Sequence, residues 1–589
     1  MFINQGTFLP KNCFIISMKF KFIFLVGLFF LVVNVGAQQN TYDTNYFKPP
    51  LEIPLVLAGN FGELRPNHFH AGIDFKTNGG EGLKILAAAD GFVSRIKISK
   101  SGYGNALYLN HPNGYTTVYA HLQVFSETLE AHIKKEQYKT RKSEVDLELS
   151  ADLFTFKQGD VIALSGNSGS SQAPHLHFEI RETKSEHPIN PLLFGYKLAD
   201  EQSPKVYDVQ FYKIENNIST PLFREAKTLK ANKGVFTFEE DILQLPANNI
   251  GIAIRTFDTM DAASNQFNVF EIKMDVGGIT KYQFTYDELS FDETRYINAH
   301  IDFAEKLHQN KSYQRCFTLP GNQLNIYDVA DAQGIINLSN NEAQTVTLTL
   351  KDFAGNETLC SFKLQKKEAP EFWGTTSCAT PMPHNQVNQF ANKEIVLQLP
   401  EKVLYEDICF DFAKTPAKSD KAILSPVYQL HFKDVPVHTP YEIQIKPNEK
   451  IALNIRKAVI CYLDNKDREQ AHETIWDGTY LKANSKNFGK HYIKFDKEKP
   501  KISAKKFARG KSYNRNSNLL FNLTDNLSGI RSYQANLNGQ WAIALYDKSK
   551  KQLSFKDFSN AKYGRNSLIL IAEDMKGNYT QYETYFNFK

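Results

Sequence analysis

Tryptophan, cysteine, blocks of like charge and long apolar runs are all scarce in this chain. A formal net charge of +5 over 589 residues is nearly balanced. With no basic run of the kind a phosphate backbone needs, the chain is not a nucleic-acid binder and is not drawn strongly to an anionic membrane surface. The apolar stretch Phe22–Val33 is short for a bilayer span. A sustained helical period is also missing, which argues against an α-helical architecture. Of six cysteines, Cys13 lies near the start, and Cys316, Cys360, Cys378, Cys409 and Cys461 lie far along the chain. Their wide spacings match no zinc knuckle, and the later five, being odd in number, leave at least one thiol unpaired unless chains pair with one another.

Lys19-Phe20-Lys21, then Phe22–Val33, then Val35-Gly36-Ala37-Gln38 read as a secretory signal covering residues 1–37, with cleavage after Ala37 and Met18 as a natural start. The expected location is the periplasm or the cell envelope and its exterior. No lipid-attachment cysteine follows the signal, and an exported compartment permits disulfides without requiring them.

Three short islands between Arg65 and Glu179 carry chemistry: Asn67-His68-Phe69-His70-Ala71-Gly72-Ile73-Asp74, Val118-Tyr119-Ala120-His121-Leu122 and Pro174-His175-Leu176-His177-Phe178-Glu179. In a β-strand successive side chains alternate between faces, so His175 and His177 share one face, backed by Leu176 and Phe178 on the other. Zinc is well served by two neutral imidazoles and one carboxylate, with a fourth position left for water, and His70, Asp74 and His177 supply that set. A base and a transition-state donor are still needed, and His121 and His175 are the candidates. Tyr119 is placed either to assist at an oxyanion or simply to pack. His68 lacks an aspartate four residues on and reads as a groove-wall or solvated residue, while His111, in Asn110-His111-Pro112-Asn113-Gly114, sits on a turn signal.

The order H-x-x-x-D, a lone histidine after a tyrosine, then H-x-H resembles the lysostaphin/LytM-type zinc metallopeptidases. The Gly-rich run Gly159–Gly169 and Asn190-Pro191 extend the match. The resemblance covers residues 52–198. It implies an antiparallel β-sheet, split-barrel peptidase fold, one zinc ion on His70, Asp74 and His177, and unligated catalytic roles for His121 and His175. It further implies a secreted endopeptidase acting on the stem peptides or cross-links of peptidoglycan. None of the five positions is degraded, which counts against a non-catalytic wall-binding regulator, an alternative that relatives with lost ligands illustrate. The other alternative is an adhesion or envelope-structural protein.

At this length about four or five domains are expected. After the signal, residues 38–51 form a lead and 52–198 the peptidase domain, mainly β. The interval Ser126–Ser150 interrupts the strand pattern with a short amphipathic helix and then Val145–Leu149 as an edge strand, either as a wall or lid of the substrate groove or as a solvated insertion. Beyond it, β-patterned segments predict sandwiches over 201–278, 279–367 and 500–589, with a β-rich domain over 368–499; with Asp525–Ile530, Asn538–Trp541 and the Asp574–Asn578 turn, the last resembles bacterial immunoglobulin-like domains. A weak repeat links Phe257–Asn265, Lys351–Asn356 and Glu573–Asn578. Its residues Asp258, Asp352 and Asp574 read as turn formers ahead of cation ligands. Trp373 and Trp541 read as buried sandwich residues ahead of sugar platforms. These modules are expected to contact an envelope partner, if any, as spacers or targeting units.

Overall fold

The computed structural model describes residues 42–232, 234–367, 378–416, 422–448 and 455–589. The signal segment, the start of the lead and Trp373 lie outside the described residues. The architecture is mainly β, and no described helix is long and apolar enough to cross a membrane.

The first module is built on a sheet of β1 (Leu57–Gly59), β2 (Ile73–Lys76), β3 (Gly91–Ile98), β4 (Asn105–Asn110), β5 (Tyr115–Ala120), β6 (Val145–Glu148) and β7 (His175–Glu182), in the order β1-β2-β7-β5-β4-β3-β6. A small second sheet joins Lys84–Leu86, Val161–Leu164 and Val124–Phe125. Ile73, Phe75, Leu107, Leu109, Tyr119, Leu176, Phe178 and Ile180 are buried, so the strand alternation places one apolar layer beneath the polar face. The lead belongs to this core: Phe47 packs edge-on against Phe194 and His111 at 5.3 Å each. Asn190 caps the short helix Pro191–Phe194 by accepting from the Leu192 amide, which satisfies an amide that a helix start otherwise leaves orphaned.

The helix of the 126–150 insertion is α1 (Glu127–Thr140), with Leu129 and Ile133 buried, and β6 pairs antiparallel with β3 as the sheet's edge. Its exposed side meets the last module. Lys134 approaches Asp557 at 3.3 Å, Tyr138 hydrogen-bonds Asp557, and the rings of Tyr138 and Trp541 meet edge-on at 5.4 Å. Tyr533 bonds Glu144. Trp541 is therefore a half-buried contact between modules, neither a sandwich-core residue nor an open platform. Between α1 and the last module runs a groove of about 780 Å³, lined by Leu122, Ser168, Ile133, Gln137, Leu545 and Asp557 among others. The insertion is thus one wall of a groove, with a second module opposite.

Residues 205–366 form two facing sheets. One is centred on β8 (Lys205–Glu215) and β9 (Asn249–Phe257), the other on β10 (Glu271–Val276), β11 (Ile279–Thr285), β12 (Gln344–Lys351) and β13 (Glu357–Lys366). The expected division at 279 is corrected here. Gly277 and Gly278, both at positive φ (59° and 82°), make the two-residue turn of the β10–β11 hairpin, and β10 then pairs with β12 seventy residues on. One sandwich stands where two were expected.

Two five-stranded sheets over 388–495 enclose a core that includes Leu397, Tyr441, Ile443, Ile460 and Ile493. Cys378 and Cys409 are bridged, closing a span of 31 residues, while Cys316, Cys360 and Cys461 are buried free thiols. The last module, 501–588, packs a four-stranded against a five-stranded sheet around Phe521, Leu537, Phe555, Leu570 and Phe586.

Candidate metal centre and catalytic histidines

Register brings the islands together. In the β2–β7 pair His177 lies opposite Asp74, and in the β7–β5 pair it lies opposite Ala120, one residue before His121. His70 comes from the loop after the Leu64–Arg65/His68–Phe69 hairpin, four residues before Asp74, and is fixed by bonds from its amide to Glu63 O and from Gly62 N to its carbonyl.

Hydrogen bonds select which atoms converge. His70 Nδ1 is 2.7 Å from Asn60 O, an acceptor only, so Nδ1 carries the proton and Nε2 faces inward. His177 Nε2 is 2.7 Å from Glu179 Oε1, which turns Nδ1 inward. The inward atoms form a triangle: His70 Nε2 to His177 Nδ1 2.9 Å, His70 Nε2 to Asp74 Oδ1 3.1 Å, and His177 Nδ1 to Asp74 Oδ1 2.9 Å. Tetrahedral bonds of about 2.1 Å set donors about 3.4 Å apart, so a zinc-sized cation fits with a small outward shift of each donor. All three residues are buried.

The second oxygen of Asp74 is held by Arg65 Nη2 at 2.6 Å, and Arg65 is steadied by Glu63 at 3.2 Å. This cluster explains Gly59: a Cβ there would lie 2.7 to 2.9 Å from Glu63 Oε2, Arg65 Nη2 and Asp74 Oδ2. Burial disfavours the Asp74 carboxylate, but His70 and the other imidazoles outweigh it and hold Asp74 well below the usual range.

His121 and His175 stand beside the triangle, ring centroids 4.8 Å apart. Each spends Nδ1 on a carbonyl, His121 on Ser168 O at 2.9 Å and His175 on Ala173 O at 2.8 Å, so each keeps an Nε2 lone pair. His175 Nε2 is buried, lies 3.5 Å from Asp74 Oδ1, and has no hydrogen-bond partner among the described residues. A buried, unsatisfied acceptor beside three convergent donors is what a site that binds a polar reactant presents. Burial lowers the His121 pKa to about 3, helped by the neighbouring His177 and His175, so His121 is neutral.

One of the two readings of Tyr119 holds, and two further residues join the site. Tyr119 pairs in register with Phe178 and therefore points into the core, where its hydroxyl accepts from Ala88 N at 2.8 Å. It packs and does not reach the centre. Glu179 and Tyr103 were not foreseen. Glu179 shares the face of His175 and His177 by the same alternation, accepts from Tyr103 Oη and His177 Nε2, and is paired with Arg181 Nε at 2.6 Å. Burial opposes its charge, yet Arg181 and His177 hold its pKa down to about 2. His68 is exposed and remote, and His111 bridges Asp90 O and Thr117 Oγ1 inside the fold.

Glu179 fixes the tautomer and orientation of His177, and such outer partners are typically worth 10- to 100-fold in metal affinity. Glu179→Gln is expected to weaken zinc retention by roughly that factor in a chelator competition. It should also lower thermal stability, because the buried Arg181 loses its close carboxylate and keeps only the more exposed Glu186 at 3.5 Å. Unchanged affinity would show that Glu179 serves the fold alone.

Residues 68–138 match the family described as Peptidase family M23. The chain carries an M23 peptidase domain. The M23 match extends to whole proteins only in part. A DD-carboxypeptidase/endopeptidase, Mpg, of Neisseria meningitidis is 34% identical over 123 residues, 21% of this chain and 22% of that one. A protein named as an uncharacterized metalloprotease of Haemophilus influenzae is 35% identical over 155 residues, 26% of this chain and 25% of that one. The chain thus spans about a quarter of the length of these relatives. Among solved structures, the lysostaphin catalytic domain of Staphylococcus simulans is similar at 23% identity, covering 24% of this chain and 91% of that one with a TM-score of 0.18. Outside the M23 domain, residues 379–496 match a Zu5-like domain.

Proposed function

We propose that this chain is an exported zinc metalloendopeptidase that hydrolyses peptide bonds in the stems or cross-links of bacterial peptidoglycan. The convergence of His70 Nε2, Asp74 Oδ1 and His177 Nδ1 beside two histidines with free Nε2 atoms carries the reading. The names of the partial relatives, DD-carboxypeptidase/endopeptidase and peptidoglycan DD-endopeptidase, support the substrate class. Export rests on the signal pattern of residues 19–38.

When bound, zinc would polarise the scissile carbonyl and acidify a water molecule. The rest falls to side chains. Asp74 would offer Oδ1 to the metal while Arg65 keeps Oδ2 occupied and the carboxylate in place. His177 is locked by Glu179, and Glu179 by Tyr103 and Arg181. His121 and His175 divide two tasks at their Nε2 atoms: one takes the proton of the attacking water and, as the imidazolium so formed, passes it to the leaving amine, while the other orients the reacting groups from the opposite side. Both rings are pre-oriented by carbonyls and need no reorganisation.

Mass spectrometry of fragments released from purified peptidoglycan tests this directly. New amine and carboxyl ends are expected with the unmodified chain. With His121→Ala the rate should drop by about 10²–10⁴-fold while zinc is retained. Equal release by both proteins would remove His121 from the chemistry. No release by a zinc-loaded chain would refute the substrate class.

A further inference from the structure

The segment joining the M23 domain to the first sandwich passes a second cluster of ligand-type residues. Asp200 lies in that segment, Asp258 directly follows β9, and Asp352 opens the turn between β12 and β13. One carboxylate oxygen of each lies within 4.8 Å of the other two. That is the span of two Ca–O bonds of about 2.4 Å. Asp352 is partly a turn former, as the sequence suggests, accepting from Gly355 N, Asn356 N and Asn356 Nδ2. Asp258 is not explained that way. It is 1% exposed, and its buried Oδ1 has no hydrogen-bond partner among the described residues.

The last module repeats the scaffold and shows what the first lacks. Asn578 Nδ2 bonds Asp574 Oδ2 and Asp496 O at 2.7 and 3.1 Å, as Asn356 Nδ2 bonds Asp352 Oδ2 and Asp200 O at 2.7 and 3.2 Å. Thr580 bonds Pro500 O, as Thr358 bonds Pro204 O. Asp525 follows a strand and faces Asp496 and Asp574 as Asp258 faces Asp200 and Asp352. In the last module Lys576, two residues after Asp574, brings an ammonium that donates to Thr474 O at 3.1 Å and is attracted by Asp496, Glu473 and Asp574, while Asp496 Oδ1 and Asp525 Oδ1 stay buried without a hydrogen-bond partner among the described residues. The equivalent residue in the first sandwich, two after Asp352, is Ala354.

We infer that Asp200, Asp258 and Asp352 bind one divalent cation, of calcium type, at the junction of the M23 domain and the first sandwich, bringing positive charge to a cluster that has no nearby lysine of the kind Lys576 supplies to the last module. Three hard carboxylates with no imidazole or thiolate suit calcium, which takes six to eight oxygens and completes its shell with water and backbone carbonyls. Without a cation the cluster is frustrated: burial, then Asp352 and Asp200, push the Asp258 carboxyl up to about 8, and burial with the neighbouring acids pushes Asp200 to about 6. Lys205, over the Phe257 ring, opposes this only weakly.

Calorimetric titration of the full chain with CaCl₂ tests the site. One equivalent is expected with a dissociation constant of about 10⁻⁴–10⁻³ M, the range of exported modules. Asp258→Asn, nearly isosteric, should weaken binding at least tenfold. Ala354→Lys should do the same and raise the melting temperature of the calcium-free chain, which reads the charge substitution without requiring loss of anything. His177→Ala should bind calcium as the unmodified chain does. No uptake at ten times the expected constant, unchanged affinity in either junction variant, or loss in His177→Ala would each overturn the site.

Discussion

Replacing His177 by alanine is expected to remove zinc retention and peptidoglycan hydrolysis together. The three inward donors sit about 3 Å apart on two adjacent strands and one loop, and losing one leaves two donors with no closing partner. The acidity a bound metal lends to water, a pKa drop from about 15.7 to about 7, goes with it. Activity should fall at least roughly 10⁴-fold on those grounds. The contrast with His68→Ala is decisive, because His68 lies two residues from His70 but is itself exposed and should change neither property. Zinc is measured by atomic absorption after gel filtration, and hydrolysis by fragment release. A His177→Ala chain that still cleaves would place the chemistry elsewhere.

Acidification is expected to unfold the modules beyond the M23 domain by a route that two histidines set. Burial lowers the His300 pKa to about 4, and burial with His472 lowers that of His491 to about 3. Both are fully buried. Their folded pKa values lie below the unfolded value of about 6.5, so between those limits the unfolded chain binds more protons. Stability from these groups is complete above about pH 6.5 and is lost as pH falls towards about 4 and about 3. The slope is about 1.4 kcal/mol per pH unit for each, or roughly 5 kcal/mol for both between pH 6.5 and 4.5. His300→Gln can still meet Tyr286, Gln314 and Tyr327, which now surround the ring. Calorimetry from pH 7 to 4.5 should show a flatter slope for the first sandwich's transition only, and His491→Gln should flatten only the transition of the 388–495 module. Parallel slopes in all three proteins would mean that groups other than His300 and His491, such as His438 and His472, govern the acid limb.

The site was legible in the sequence where chemistry follows local geometry. His175 and His177 on one face of β7 follow from alternation alone, and the same rule reaches Glu179 and Arg181, which lie on that face as a buried acid and base. The reading stopped two residues early. For Tyr119 the sequence leaves packing and oxyanion contact both open, because its face is set by its partner Phe178 across β5 and β7, a non-local fact. Long-range pairing also explains the missing boundary at 279: a Gly-Gly pair reads as punctuation, but β10 finds β12 rather than ending a domain. The Cys378–Cys409 bridge and the meeting of Tyr138 with Trp541 depend on chain distance in space, and spacing in sequence carries no trace of either.

Contact between α1 and the last module turns the four units into a closed circuit instead of a string of beads. The chain leaves the M23 domain at Asp200 and returns to it through Trp541 and Asp557. The last module is thus held from two sides, by that polar and aromatic patch and by hydrogen bonds with Lys457, Asp496 and Thr474 of the preceding stretch. The groove between α1 and the last module therefore has walls from opposite ends of the chain, and its width is set by how the whole circuit closes and not by either module alone.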